Sequence, residues 1–220
     1  MIRSVALSSR IVAAATATTA IAGLVLQFAL MTKTMPVDEA LWRFIGYFTL
    51  LTNTLVAVVA GAVAIAPGSR LARPRWLLVA LVAILGVGLV YSLALRALWS
   101  PVGLQAVADH ILHDATPILF AALWFSAPHG RLSWRDAPWG LVWPLTYCTY
   151  ALARGAVDGW YAYWFLDPTA LAAGPMAVNV AVLAAAFLAL AMMVVAIDRV
   201  IARLTGVDPH SGSVKSDSHG

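Results

Sequence analysis

Charge is what this chain has least of. Lys, Arg, Asp and Glu make up 11% of its 220 residues, against about 25% in ordinary soluble domains. Apolar residues reach 62% and the mean hydropathy is +0.85. That balance excludes a small soluble core wrapped in a solvated shell. It also changes the meaning of the net charge of +4. Most Lys and Arg stand between apolar runs, where membrane topology accounts for them. No RNA- or DNA-reading motif occurs, so nucleic acid is not an expected partner. Cysteine is nearly absent as well. Cys148 stands alone, which excludes an intrachain disulfide framework and any multi-cysteine metal site. Lying inside an apolar run, it reads as a small buried filler.

Long apolar runs take up the space instead. A bilayer core needs about 20 apolar residues per helix. On that ruler the sequence divides into about six spans, near 11–31, 43–66, 76–96, 107–126, 138–157 and 172–198. The expected fold class is all-α, a polytopic membrane bundle of six transmembrane helices forming one domain over residues 1–204. A polar tail, 205–220, is too poor in apolar surface to offset the cost of ordering and is expected to be disordered. The first apolar run is longer than a signal-peptide core of about 7–15 residues, so it reads as an uncleaved span. Arg3 and Arg10, then Arg70, Arg73 and Arg75, then Arg131 and Arg135, then Arg199, Arg203 and Lys215 fall in every second connection. That bias predicts cytoplasmic termini in a plasma membrane.

Under this topology the polar residues gather at one depth. Thr49, Thr52 and Asn53 lie toward the outer end of the second span. Tyr91, Ser92 and Arg96 lie there on the third, and Asp109, His110, His113 and Asp114 on the fourth. Arg154 and Asp158 follow on the fifth and Asn179 on the sixth. The inner halves are mostly Ala, Val, Leu and Gly. Ionisable residues are expensive inside a membrane and mark cavities or sites, so one outward-opening polar cavity is expected.

The densest cluster is Asp109-His110-Ile111-Leu112-His113-Asp114. Asp109 with His113, and His110 with Asp114, are four apart, so carboxylate and imidazole meet on one helix face. A carboxylate fixing one imidazole nitrogen leaves the other free as a base. Three readings stand. One is catalysis or substrate binding. The second is structural polarity, with Asp109 capping a helix start. The third is a metal, although two His three apart without a third ligand are a weak metal signal. No cofactor or metal is assigned. On the second span a Thr hydroxyl activated by a nearby base is a possible nucleophile, and the bland alternative is a Thr bonding its own backbone or a neighbouring helix. Arg154 fits a snorkelling residue, an anchor for a carboxylate, or a partner for Asp114 or Asp158. The aromatic run Trp160 to Phe165 reads equally as an interfacial belt.

Three motifs in order carry a family likeness: Tyr47-Phe48-Thr49-Leu50-Leu51-Thr52-Asn53; His110-Ile111-Leu112-His113 with Pro117; and Tyr147-x-x-Tyr150-x-Leu152-x-Arg154-Gly155 leading to Gly159-Trp160-Tyr161-x-Tyr163-x-Phe165-Leu166-Asp167. Together they resemble the Pr6Pr prokaryotic six-span membrane proteins, which look like distant relatives of the eukaryotic androgen-induced (FAR-17a-like) membrane proteins. The eukaryotic relatives are threonine hydrolases of fatty acid esters of hydroxy fatty acids. The resemblance implies a bacterial integral membrane hydrolase of a lipid-like ester. Its nucleophile would be Thr49, with Thr52 the competing position, and its base His113. Asn53, Thr52, Asp109, His110, Asp114, Arg154 and Tyr163 would bind substrate or support the pair. A lipid-like substrate and membrane lipid are the implied partners. The alternative is a transporter or ligand-binding membrane protein for a small anionic or lipidic molecule, using the same cavity without catalysis.

Overall fold

The structure is a computed structural model that describes residues 6–98 and 100–206. Most of the expected disordered tail, 207–220, lies outside the described residues. The fold is all-helical, with no strand among the described residues. Its main helices are α1 (Leu7–Met31), α2 (Val37–Phe44), α3 (Phe48–Ile65), α4 (Pro74–Val90), α5 (Leu104–His110), α6 (Thr116–Ser126), α7 (Val142–Asp158) and α8 (Ala173–Leu204). Four helical stretches, Leu7–Met31, Phe48–Ile65, Pro74–Leu98 and Ala173–Leu204, are long and apolar enough to cross a membrane.

The core is built around α4, where Leu77 through Ile84 are all buried. Val56 and Val59 of α3, Phe120 and Leu123 of α6, and Phe187 and Val195 of α8 pack against it. The outer faces of α1 and α8 stay apolar, with Ile11, Ile21, Val25, Val178, Val182 and Met193 exposed. A water-facing surface would not be patterned this way, and a lipid-facing one would.

Several boundaries differ from the sequence expectation. The second expected span begins not at 43 but at Phe48. The acidic start Asp38-Glu39 and the basic end Arg43 suit a separate short helix, α2. The chain then turns at Gly46 and Tyr47. A Cβ on Gly46 would collide with Arg154 and Trp160, so the bare Cα admits those side chains. The fourth expected span runs through two helices, α5 and α6, joined by a π turn at Ile111–Ala115. Pro117 has no N–H to offer the His113 carbonyl four residues back, so a regular α-turn would be broken there. The wider turn absorbs the mismatch. The third expected span ends in a second π turn, Tyr91–Leu95. The fifth starts late, because a 3₁₀ helix at Trp134–Leu141 precedes α7.

Two sets of contacts pin the ends. At the basic end, Ser9 donates to the Ser126 carbonyl at 2.6 Å and Arg75 pairs with Asp136 at 2.6 Å. At the other end, Trp42 Nε1 donates to Asp158 at 2.6 Å and Gln105 to Gln27 at 2.8 Å. The motif residues cluster at this second end.

Candidate functional site

The site forms where α3 meets the two π turns. Gly88 lets α4 come close, since a Cβ there would lie 3.3 Å from the His113 carbonyl. This approach stacks the Tyr91 ring on His113, with centroids 3.8 Å apart and planes 17° from parallel. His113 Nδ1 lies 3.0 Å from the Asp109 carbonyl and 3.3 Å from Asp109 Oδ1. Both oxygens accept only, so the proton of a neutral ring belongs on Nδ1. The other nitrogen, Nε2, then presents a lone pair, and it faces Thr49 Oγ1 at 3.4 Å. That distance is long for a hydrogen bond.

Asp109 is itself held. Tyr91 donates its hydroxyl to Asp109 Oδ2 at 2.6 Å. The four groups form a chain, Tyr91 to Asp109 to His113 to Thr49. Asp109 lies in the second turn of α5, which starts at Leu104, so the helix-capping reading fails. Asn53 ties the two helices together. Its amide donates to the Thr49 carbonyl at 2.9 Å and to the Leu112 carbonyl at 3.2 Å. Thr52 is turned elsewhere and accepts from Trp143 Nε1 at 2.9 Å.

On its other side Thr49 borders a narrow apolar slot of about 50 Å³ between α3, α4, α7 and α8. Phe48, Tyr147, Phe165, Leu183 and Phe187 contribute to its walls, and Leu145, partly exposed, sits at its rim. Tyr163 also lines the slot, and its hydroxyl lies beside Thr49. Cys148 is half-buried on the slot wall rather than deep in the core.

The remaining expected residues lie apart from this centre. His110 and Arg96 both bind Asp114, at 2.8 and 2.5 Å, in an exposed cluster. Arg154 pairs with Asp158 at 3.6 Å rather than with Asp114. Its buried guanidinium lies between Trp42 and Trp160, 4.1 and 5.2 Å from their ring centres. It makes no hydrogen bond among the described residues. Asn179 holds the Phe165 carbonyl at 3.1 Å and so fixes a wall of the slot. No group of three or more metal-ligating side chains occurs among the described residues.

Tyr91 is the site residue that the sequence did not single out. Its signal was its place among the outer-end polar residues of the third span. Its role depends on two π turns that periodicity does not reveal. No family model, curated protein or solved structure matches this chain.

Proposed function

We propose that the chain is a membrane-embedded hydrolase of a lipid-like ester, with Thr49 as nucleophile and His113 as general base. The observation that carries this reading is the position of the Thr49 hydroxyl. It stands between a histidine nitrogen with a free lone pair and an apolar slot suited to an acyl chain. Thr has an unactivated hydroxyl and needs such a base within reach.

The sequence of steps follows from these atoms. Substrate enters with its acyl chain in the slot and its carbonyl carbon against Thr49 Oγ1. His113 Nε2 takes the hydroxyl proton as the Oγ–C bond forms. The same proton then passes to the leaving alkoxide, leaving an acyl-threonine. Water attacks that ester, again giving a proton to Nε2, and Thr49 regains one as the acid departs. Asp109 holds the ring through Nδ1–H and stabilises the imidazolium. The Tyr163 hydroxyl is a donor suited to the developing oxyanion. The proposed setting is a six-span bundle with both termini cytoplasmic. In that bundle α5 and α6 with their π turn form the fourth crossing and α7 the fifth. The positive-inside pattern and the apolar outer faces support it. The likeness to the Pr6Pr family and the threonine hydrolases is part of this proposal.

A close-packed layer containing Val56, Val59, Leu78, Val82 and Phe120 lies between this slot and the basic end. That favours a blind, laterally entered site over a transport path. The test is hydrolysis of a long-chain 4-methylumbelliferyl ester by the purified full-length protein. Turnover lost in both Thr49→Ala and His113→Ala, with both variants folded, supports the reading. Turnover retained in either one overturns it.

A further inference from the structure

At the basic end a second cavity, of about 220 Å³, opens between the starts of α1 and α4, the end of α3 and the 127–132 connection. A single water needs roughly 10–15 Å³ on such a measure, so this space holds a group of some size. Its charged lining is Arg10, His129, Arg131 and Asp198.

The acid among them is already taken. Asp198 is buried and accepts from His129 Nδ1, from Gly130 N and from Leu132 N, each at 3.1 Å. His129 Nε2 meets a second acceptor, the Phe125 carbonyl, at 3.2 Å. Both ring nitrogens face acceptors, an arrangement that favours the doubly protonated ring. Arg10 uses Nε on the Ala64 carbonyl at 2.8 Å, its one side-chain hydrogen bond among the described residues, and both terminal amino groups remain. Arg131 is exposed and makes no ion pair among the described residues. Pro74, the first residue of α4, also lines the space and brings the positive end of that helix to it. Donors are in excess, and the carboxylate is already engaged by three of them.

We infer that this cavity binds a phosphate-type oxyanion, held by the guanidinium groups of Arg10 and Arg131. Arginine forks match phosphate oxygens in pairs. The source is either the headgroup of a phospholipid in the adjoining leaflet or a free phosphate compound. This site is separate from the Thr49 centre and does not depend on the hydrolase reading.

The test uses the full-length protein in detergent micelles, with native mass spectrometry and thermal unfolding as readouts. The probes are dioleoyl phosphatidic acid, dioleoylglycerol as the same tails without phosphate, and inorganic phosphate. Phosphatidic acid is expected to be retained and to raise Tm, while dioleoylglycerol does neither. Retention is expected to weaken about tenfold in Arg131→Gln, the size of one lost charge-assisted contact, and less in Arg131→Lys, which keeps the charge but not the fork. Because Arg131 is exposed in a connection, its replacement leaves the fold intact. Displacement of phosphatidic acid by millimolar phosphate identifies a free phosphate compound as the match, and resistance to it identifies the lipid headgroup. The inference is overturned if phosphatidic acid and phosphate bind no better than dioleoylglycerol, or if Arg131→Gln binds as the wild type does.

Discussion

His113 at one end of the bundle and His129 at the other are set up almost alike. Each imidazole lies beside a buried carboxylate, Asp109 at 3.3 Å and Asp198 at 3.1 Å. Each also meets an aromatic ring, Tyr91 at 3.8 Å and Trp124 at 4.7 Å. The difference lies in what the second nitrogen faces. For His113 it is a hydroxyl, which can donate, so a basic nitrogen is available. For His129 it is a backbone carbonyl, which can only accept, so that nitrogen faces no proton to take. A His–Asp pair is therefore not in itself a catalytic signature. The group opposite the free nitrogen decides between a base and a structural latch.

The two histidines should differ most in turnover. Thr49→Ala and His113→Ala should each lower ester hydrolysis by about 10²–10⁴-fold, the usual worth of a positioned base. His129→Gln should stay within about twofold of wild type, since its nitrogens are committed to holding a loop. Equal losses in His113 and His129 variants, in the same ester assay, would erase the distinction. Next in size is stability. Asp198→Ala strips an acceptor from three donors and should cost about 3–5 kcal/mol, read as a lowered Tm, while turnover per folded molecule is preserved. A Tyr91→Phe change should be milder and act on the other quantity. It removes one hydrogen bond to a charged group, worth about 1.5–3 kcal/mol. We expect kcat to drop about tenfold, with KM little changed if Tyr91 acts through Asp109 and not on substrate.

The smallest effect is a pH dependence. The hydrogen bond to Asp198 holds the His129 pKa above its ordinary value. The folded-state pKa is thus raised above the unfolded one. The stabilisation is complete below the unfolded pKa of about 6.5 and fades as pH rises through the raised folded value. The Tm gap between wild type and His129→Gln should therefore be widest in mild acid and narrow in alkali. A gap that widens with rising pH would contradict the latch.

Much of the fold was legible because lipid solvation writes it into composition. The all-helical fold and its four long apolar helices follow from the cost of polar groups in hydrocarbon. The Asp109–His113 and His110–Asp114 pairs were legible from helical spacing. Other features were not. The π turns at Tyr91–Leu95 and Ile111–Ala115 shift the register by one residue, and no periodicity rule announces them. They bring Tyr91 onto His113. Where the two threonine hydroxyls point was not legible either: Thr49 faces His113 and Thr52 accepts from Trp143. His129 and Asp198 are 69 residues apart, so their pairing is purely tertiary. The break between α2 and α3 depends on Arg154 and Trp160 crossing Gly46, another long-range contact.

In the proposed reaction Thr49 Oγ1 is the atom acylated and His113 the base that activates it. The most direct measurement is peptide mass spectrometry after treatment with an acyl-mimicking fluorophosphonate probe, on wild type, His113→Ala and His129→Gln. The adduct is expected on the peptide containing Thr49, absent in His113→Ala and retained in His129→Gln. An adduct on another residue, or one on Thr49 that persists undiminished in His113→Ala, would rule out these roles.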